Sequence, residues 1–478
     1  MNNTFTHRIL RRKILADTLT PVEIYRRVGG KSFSYLFESV VGGERWARFS
    51  VIGLAAQTIF RAKNGFSEIL QDGKVRETEN EKNPLDFLTE FHSRRKIQDI
   101  PPDLPFAGGL VGYFGYDCIG YIEKRLAKRP ERDTVNIPDL LFLVSDAVIV
   151  LDNLLGEANL LLTVDLSEQD AIARGEQKLD EIEAEIFQAK NFPALKLAEA
   201  DLSKFQPEYE LGEAGYKAAV EKIKEYIKAG DVMQVVPSQR MIVDYDRDPL
   251  DLYRALRITN PSPYMYILNM QDHAIVGSSP EILARCEAGK VTVRPIAGTR
   301  RRGKTREEDL ALERELLADE KELAEHTMLI DLGRNDIGRV CKTSTVQVSE
   351  KMTIERYSHV MHIVSNVEGE LKDGENAMSV FKAVFPAGTL SGASKIRAME
   401  IIDELEISRR GIYGGAVGYW SWSGNMDLAI AIRTGLIKDK KLFVQAGGGI
   451  VYDSTADNEW QETLNKLGAL IKALAIIS

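Results

Sequence analysis

The sequence predicts an α+β protein in which large mixed, mainly antiparallel sheets pack together with flanking helices. Three observations carry that expectation. Turn dipeptides separate short apolar runs in the N-terminal third, well-marked amphipathic helices occupy much of the rest, and strands and helices mix without a regular βαβ rhythm. With 478 residues, the chain can form two to four domain-sized units or one large intertwined body.

The first strands are Gln57–Ala62 and Phe66–Leu70, split by Asn64-Gly65, with Asp72-Gly73 leading into Val75. Both dipeptides are hairpin signals because their residues tolerate positive φ. Leu140–Leu151 reads as one long strand that turns through Asp152–Gly156 into Asn159–Val164. A helix is expected from about Ser167 to Lys190, with Ala171, Ile172, Leu179, Ile182 and Ile186 along one stripe. The pattern weakens after Asn191-Phe192-Pro193. This places the main boundary near 205, dividing the chain into 1–204 and 205–478.

The second part opens with a helix, Ala214–Ala229. Tyr216, Val220, Ile223 and Ile227 share a face, and Gly230 stands where a C-terminal cap belongs. Another helix begins at Thr305, where Thr305 and Glu308 match a capping box. Lys290–Pro295 and Lys441–Val444 read as strands. Phe106–Tyr113 and Tyr413–Tyr419 echo each other, which fits either equivalent turns in two related sheets or simply two glycine-rich strand ends.

Composition excludes several functions. Apolar residues make up 44% and charged residues 28%, as in ordinary globular proteins. No apolar run is long enough to span a membrane, and the first residues do not resemble a signal peptide. The three cysteines, Cys118, Cys286 and Cys341, are far apart, so reduced thiols in a cytoplasmic protein are expected. A net charge of −9 speaks against nucleic acid. The basic run Arg300–Lys304 is followed at once by Glu307, Glu308 and Asp309, as in a solvated loop or a lid near an anionic site. An anionic substrate would need a local basic pocket or a metal ion.

Two carboxylate pairs stand out. Glu322 and Glu325 are three residues apart, as are Glu459 and Glu462, so on helices each pair shares a face. Either pair alone also suits a solvated helix. The first pair, however, runs into a dense mixture of apolar and polar residues, and the second follows Gln445-Ala-Gly-Gly-Gly-Ile450, whose backbone can approach a ligand closely. If the pairs converge, two such charges at about 4 Å repel by roughly 4 kcal/mol at an effective dielectric of 20. A hard divalent cation, Mg²⁺ or Ca²⁺, would relieve that repulsion.

Five motifs now stand in order: Asp319–His326, Asp331–Asp336, Phe385–Gly392, Tyr413–Tyr419 and Ala431–Arg433. Together they resemble the chorismate-utilising enzymes, which form anthranilate, aminodeoxychorismate, isochorismate or salicylate. The N-terminal part, through Phe37-Glu38-Ser39 and the Arg45–Gly53 segment, is similar to the anthranilate synthase large subunits, and their fold is implied. Gln234 stands where isochorismate- and salicylate-forming relatives carry a lysine base, and an amide cannot activate water in that way. Ala297 stands where aminodeoxychorismate synthases typically have a nucleophilic lysine. Asn260-Pro-Ser-Pro263-Tyr264-Met265, with Glu38 and Ser39, resembles a tryptophan feedback site. Phe37 replaces a frequent leucine, and Gly447-Gly448-Gly449 replaces a frequent Gly-Ala-Gly.

The resemblance implies Mg²⁺ on Glu325 and Glu462, with Glu322 and Glu459 acting through water. Ammonia would add to chorismate at C2 as the C4 hydroxyl leaves, protonated by Glu281. His362 would serve the elimination of pyruvate that follows. Arg433 and Tyr413 would bind the enolpyruvyl carboxylate, whose shape suits a planar guanidinium. Thr389 would hydrogen-bond the substrate, and Gly298, Thr299 and Gly447–Gly449 would supply backbone contacts. None of the three cysteines resembles a glutaminase nucleophile, so a separate glutamine amidotransferase subunit, in a heterotetramer, is implied. The competing readings are an aminodeoxychorismate or aminodeoxyisochorismate synthase and, from another class, a non-catalytic chorismate or tryptophan sensor.

Overall fold

A computed structural model describes residues 5–40, 48–128, 130–201, 205–357 and 360–477. Two twelve-stranded sheets dominate it. Among the described residues every ladder is antiparallel except the short parallel contact of His7–Leu15 with Ile97–Gln98. The α+β expectation therefore holds. Each sheet is continuous across residue 205. In the first, Ser34–Glu38 pairs with Tyr264–Asn269; in the second, Gly109–Phe114 pairs with Ala416–Ser421. The expected boundary adjoins residues 202–204, outside the described set, as does part of the Arg45–Gly53 motif.

Period-two alternation builds the layers. Tyr35, Val51, Val148 and Val150 join an apolar cluster that also contains Val111, Leu143 and Val417 of the second sheet, so this cluster fills the space between the sheets. Their neighbours Leu36, Ile52, Ile149 and Leu151 point the other way, into a cluster with helices Pro21–Val28, Ala171–Phe187, Pro249–Thr259 and Ala456–Ile476. A third cluster packs helices Pro84–Ser93, Ala377–Val384 and Glu320–Gly338 on the outer face of the second sheet. The order is helices, sheet, sheet, helices. Three of these helices start alike: Thr20, Asn83 and Asp248 each cap a backbone N–H, and a proline follows at once, where its missing N–H costs nothing.

The hairpins at Asn64-Gly65 and Asp72-Gly73 form as expected, with positive φ at all four residues. Asp439 and Lys440 make the same turn without glycine. Helices Ala171–Phe187 and Gly212–Lys228 match two expected ones, and Gly230 follows the second with φ +82°.

Three expectations need correction. Leu140–Leu151 is not one strand. Leu140–Ser145 belongs to the second sheet and Ala147–Asp152 to the first, with Asp146 at the crossing. Both halves are buried on two faces, so a continuous apolar run carries no mark of the switch. The Phe106–Tyr113 and Tyr413–Tyr419 echoes are not equivalent turns in separate sheets; they run beside each other, Gly112 opposite Gly418. The capping box at Thr305 is half formed. Thr305 accepts from the Glu308 N–H at 3.2 Å, but the Glu308 carboxylate takes the Lys304 N–H instead, at 2.7 Å.

Candidate active site

A cavity of about 640 Å³ collects the residues singled out above. Glu322 and Glu325 reach it from helix Glu320–Gly338, and Glu459 and Glu462 from the first turns of helix Ala456–Ile476. Gly298 and Thr299 lie on strand Ile296–Arg301, His362 on Val360–Glu370, and Thr389 in the short turn Gly388–Ser391. Glu281, Tyr413, Arg433, Gly447 and Gly449 complete the wall, beside Gln234 and Ala297. Gly448 is not on the wall; a Cβ there would stand 2.8 Å from Glu459 Oε2.

The carboxylates come together because both helices start at the cavity. Asp319 caps the first by accepting from the Lys321 and Glu322 N–H groups. Arg300 then reaches Asp319 at 2.8 Å and Glu322 at 3.6 Å. Burial raises the Glu325 carboxyl, Lys321 opposes the rise, and the charges of Glu322 and Glu462 add to it. Burial raises Glu459 as well, against a Ser454 hydrogen bond and with help from Glu462. Among the described residues, Glu459 Oε2 is buried without a hydrogen-bond partner. Among the same residues, no three His, Cys, Asp or Glu side chains stand close enough to hold an ion by themselves. An all-oxygen donor set with an orphaned carboxylate oxygen fits a hard cation that also takes ligands from substrate and water.

Across the cavity, Glu281 is part-buried, and loss of solvent pushes its carboxyl up to about 7. A hydrogen bond from Thr389 and the charges of Arg433 and Lys466 oppose that rise. His362 Nδ1 lies 3.1 Å from the Gly298 carbonyl and 3.0 Å from Thr299 Oγ1. A carbonyl only accepts, so Nδ1 carries the proton and Nε2 keeps its lone pair. Burial lowers the imidazole's pKa, which keeps the ring neutral.

Arg433 adopts φ +50° and is part-buried, and loss of solvent lowers its pKa. Among the described residues no ion pair reaches its guanidinium, so the site holds a part-buried cation suited to an anionic ligand. Burial pushes Tyr413 beside it up to about 12.

Lys466 was missed by the motifs. It lies 2.6 Å from Glu462 and donates to the Gly447 carbonyl at 2.7 Å. Its i+4 spacing from Glu462 was the available signal.

A second cavity, of about 400 Å³, lies between the sheets. Glu38, Ser39, Pro263, Tyr264 and Met265 all line it. The Met265–Glu38 register brings the two segments together. Glu38 accepts hydrogen bonds from Tyr253 and, at 3.2 Å, from Arg257. The Tyr264 hydroxyl donates to Asp427 at 2.9 Å, and Arg285 pairs with the same carboxylate.

The family model for chorismate binding enzymes matches residues 41–472. The chain is 54% identical to anthranilate synthase component 1 of Pseudomonas putida, over 97% of this chain and 94% of that protein. It is 46% identical to the protein of the same name from Aquifex aeolicus, with the same coverage. Among solved structures, anthranilate synthase component I from Streptococcus pneumoniae superposes with a TM-score of 0.80 at 40% identity, covering 96% of this chain and 99% of that one. The isochorismate synthase MenF of Escherichia coli shares the fold, with a TM-score of 0.74 at 18% identity, covering 98% and 95%.

Proposed function

Because this chain belongs to the chorismate-binding enzymes, we propose that it converts chorismate and ammonia to anthranilate and pyruvate, the first committed step towards tryptophan. A separate glutamine amidotransferase subunit supplies the ammonia, within a heterotetramer. The observation that carries this reading is the company Glu281 keeps. A part-buried carboxyl titrating near 7 shares one cavity with Gln234 and Ala297, neither of which is a base or a nucleophile. At those two positions the site offers neither a base to activate water nor a nucleophile to form a covalent intermediate, while Glu281 can protonate a leaving group. Such a site needs a nucleophile that arrives ready, which ammonia is.

Arg433 and Tyr413 hold the enolpyruvyl carboxylate, and Gly298, Thr299, Gly447 and Gly449 shape the backbone around the substrate. Glu325 and Glu462 would hold Mg²⁺, with Glu322 and Glu459 acting through water, and the bound ion would supply positive charge for the ring carboxylate. Glu281, kept neutral by burial and positioned by Thr389, gives its proton to the C4 hydroxyl, which departs as water while ammonia adds at C2. His362 presents Nε2 for the loss of pyruvate, either taking the proton or orienting the enolpyruvyl group. Residues 1–204 supply Glu38 and Ser39 to the inter-sheet cavity, where tryptophan binds as feedback inhibitor with Pro263, Tyr264 and Met265. Residues 205–478 supply the catalytic groups. No described helix is long and apolar enough to cross a membrane.

The test is incubation of the chain with chorismate, Mg²⁺ and ammonium at alkaline pH, read by fluorescence and mass. Anthranilate with equimolar pyruvate is expected. An amino-chorismate product without pyruvate overturns the reading in favour of an aminodeoxy product. No magnesium-dependent turnover overturns it in favour of a sensor.

A further inference from the structure

Behind the cavity wall lies an ion pair that the proposed chemistry does not use. The side chains of Glu406 and Arg410 are 7% and 2% exposed. They meet in a two-point contact, Nε to Oε2 at 2.9 Å and Nη2 to Oε1 at 2.6 Å. Two more of the guanidinium's protons go to backbone. Nη1 donates to the Leu390 carbonyl and Nη2 to the Val236 carbonyl, each at 2.7 Å. Glu406 Oε1 also accepts from the N–H and the hydroxyl of Ser238, at 2.8 Å each. The guanidinium carbon stands 4.5 Å from the Tyr116 ring centre and 5.5 Å from that of Tyr413.

Val236, Leu390 and Tyr413 all line the active-site cavity and come from three separate stretches of chain. Leu390 is bonded to Thr389, whose hydroxyl holds Glu281, and Val236 lies two residues from Gln234. We infer that the Glu406–Arg410 pair is the positioning device of the catalytic wall, setting Thr389 through the Leu390 carbonyl, the Gln234 segment through the Val236 carbonyl, and Tyr413 through its ring.

Buried ion pairs are poor stabilisers, because desolvation offsets much of their attraction. A planar fork with five fixed donors is instead suited to holding several acceptors at set angles. Lysine keeps the charge at this position but cannot reach two carbonyls and a carboxylate from one rigid plane.

The inference rests on the proposed function only for the identity of the acid, so two readouts keep them apart. The first needs no turnover. In the full chain, Arg410→Lys should speed amide hydrogen exchange on the order of 10-fold in peptides covering 233–238 and 386–393, leaving the outer helices unchanged. Unchanged exchange in both peptides overturns the inference, whatever the enzyme makes. The second is kinetic. In whatever reaction the native protein performs on chorismate, Arg410→Lys should lower kcat on the order of 100-fold, the scale of an ångström-level misplacement. KM for chorismate should move by less than about 3-fold, since the ligating groups remain. In a Thr389→Val background the same change should cost far less, because the coupling it carries is already lost. Full additivity, or a folded variant with native kcat, overturns the inference. If Arg410→Lys does not fold, Glu406→Gln, which keeps shape and one acceptor oxygen, is read by the same criteria.

Discussion

The Thr389 hydroxyl donates to Glu281 Oε1 at 3.1 Å, joining residues 108 positions apart in sequence. That single bond opposes the effect of burial on the acid without cancelling it, and the carboxyl still titrates near 7. It also ties the turn Gly388–Ser391 to the wall that carries Glu281.

Replacing the acid should separate activity from stability. Glu281→Gln removes the proton and should lower turnover by about 10²–10⁴-fold. At fixed free ammonia, native kcat should fall as pH rises through about 7. The stability effect follows from the raised carboxyl. Its folded pKa of about 7 exceeds the reference of 4.5, so the stability tied to the neutral form is complete below 4.5 and lost as pH rises through 7. That difference amounts to roughly 3 kcal/mol. Denaturant titrations at pH 5.5 and 8.5 should therefore show Glu281→Gln gaining on the native protein at the higher pH. A gap between the two proteins that does not vary with pH would contradict a neutral, part-buried acid.

Glu462→Gln should abolish turnover by weakening the metal, raising the magnesium concentration needed for half activity at least 10-fold where residual rate remains. The variant also frees Lys466, which now pairs with Glu462 at 2.6 Å. Magnesium titration of activity reads the effect. Native activity with an unchanged magnesium requirement would remove Glu462 from the metal site.

His362→Ala should slow pyruvate release more than amine addition, because Nε2 is the nitrogen left open once Nδ1 binds the Gly298 carbonyl. A time course following both the aminated intermediate and pyruvate should show the intermediate accumulating. Equal slowing of both steps would place His362 elsewhere in the reaction.

Ser39→Phe should blunt tryptophan inhibition while sparing turnover, since Ser39 lines the inter-sheet cavity and not the catalytic one. Inhibition curves at fixed chorismate give the result. Undiminished inhibition in that variant would exclude Ser39 from the inhibitor's site.

Much of the cavity's lining was legible because its signals are local. Glu322 with Glu325, and Glu459 with Glu462, share a helix face by spacing alone, the family motifs contain Thr389, Tyr413 and Arg433, and the resemblance pointed to Glu281 and His362. Two side chains that matter were not legible. Lys466 carried only an i+4 relation to Glu462, and Arg410 sat in Ser408-Arg409-Arg410 with nothing to distinguish it from its neighbour. Arg409 reaches the Pro130 carbonyl and Asn64, whereas Arg410 turns into the core.

By itself, then, the sequence determined what depends on neighbours along the chain: hairpins at Asn64-Gly65 and Asp72-Gly73, helix faces, caps, and the chemical type of each reactive group. Only tertiary structure decided what depends on distant pairing. It put Leu140–Ser145 and Ala147–Asp152 in different sheets, set Gly112 opposite Gly418, and aimed two carboxylate helices at one cavity. The reason is physical: spacing determines which side chains share a face, but which faces meet is set by burying apolar surface across the whole chain, and no short window of residues contains that information.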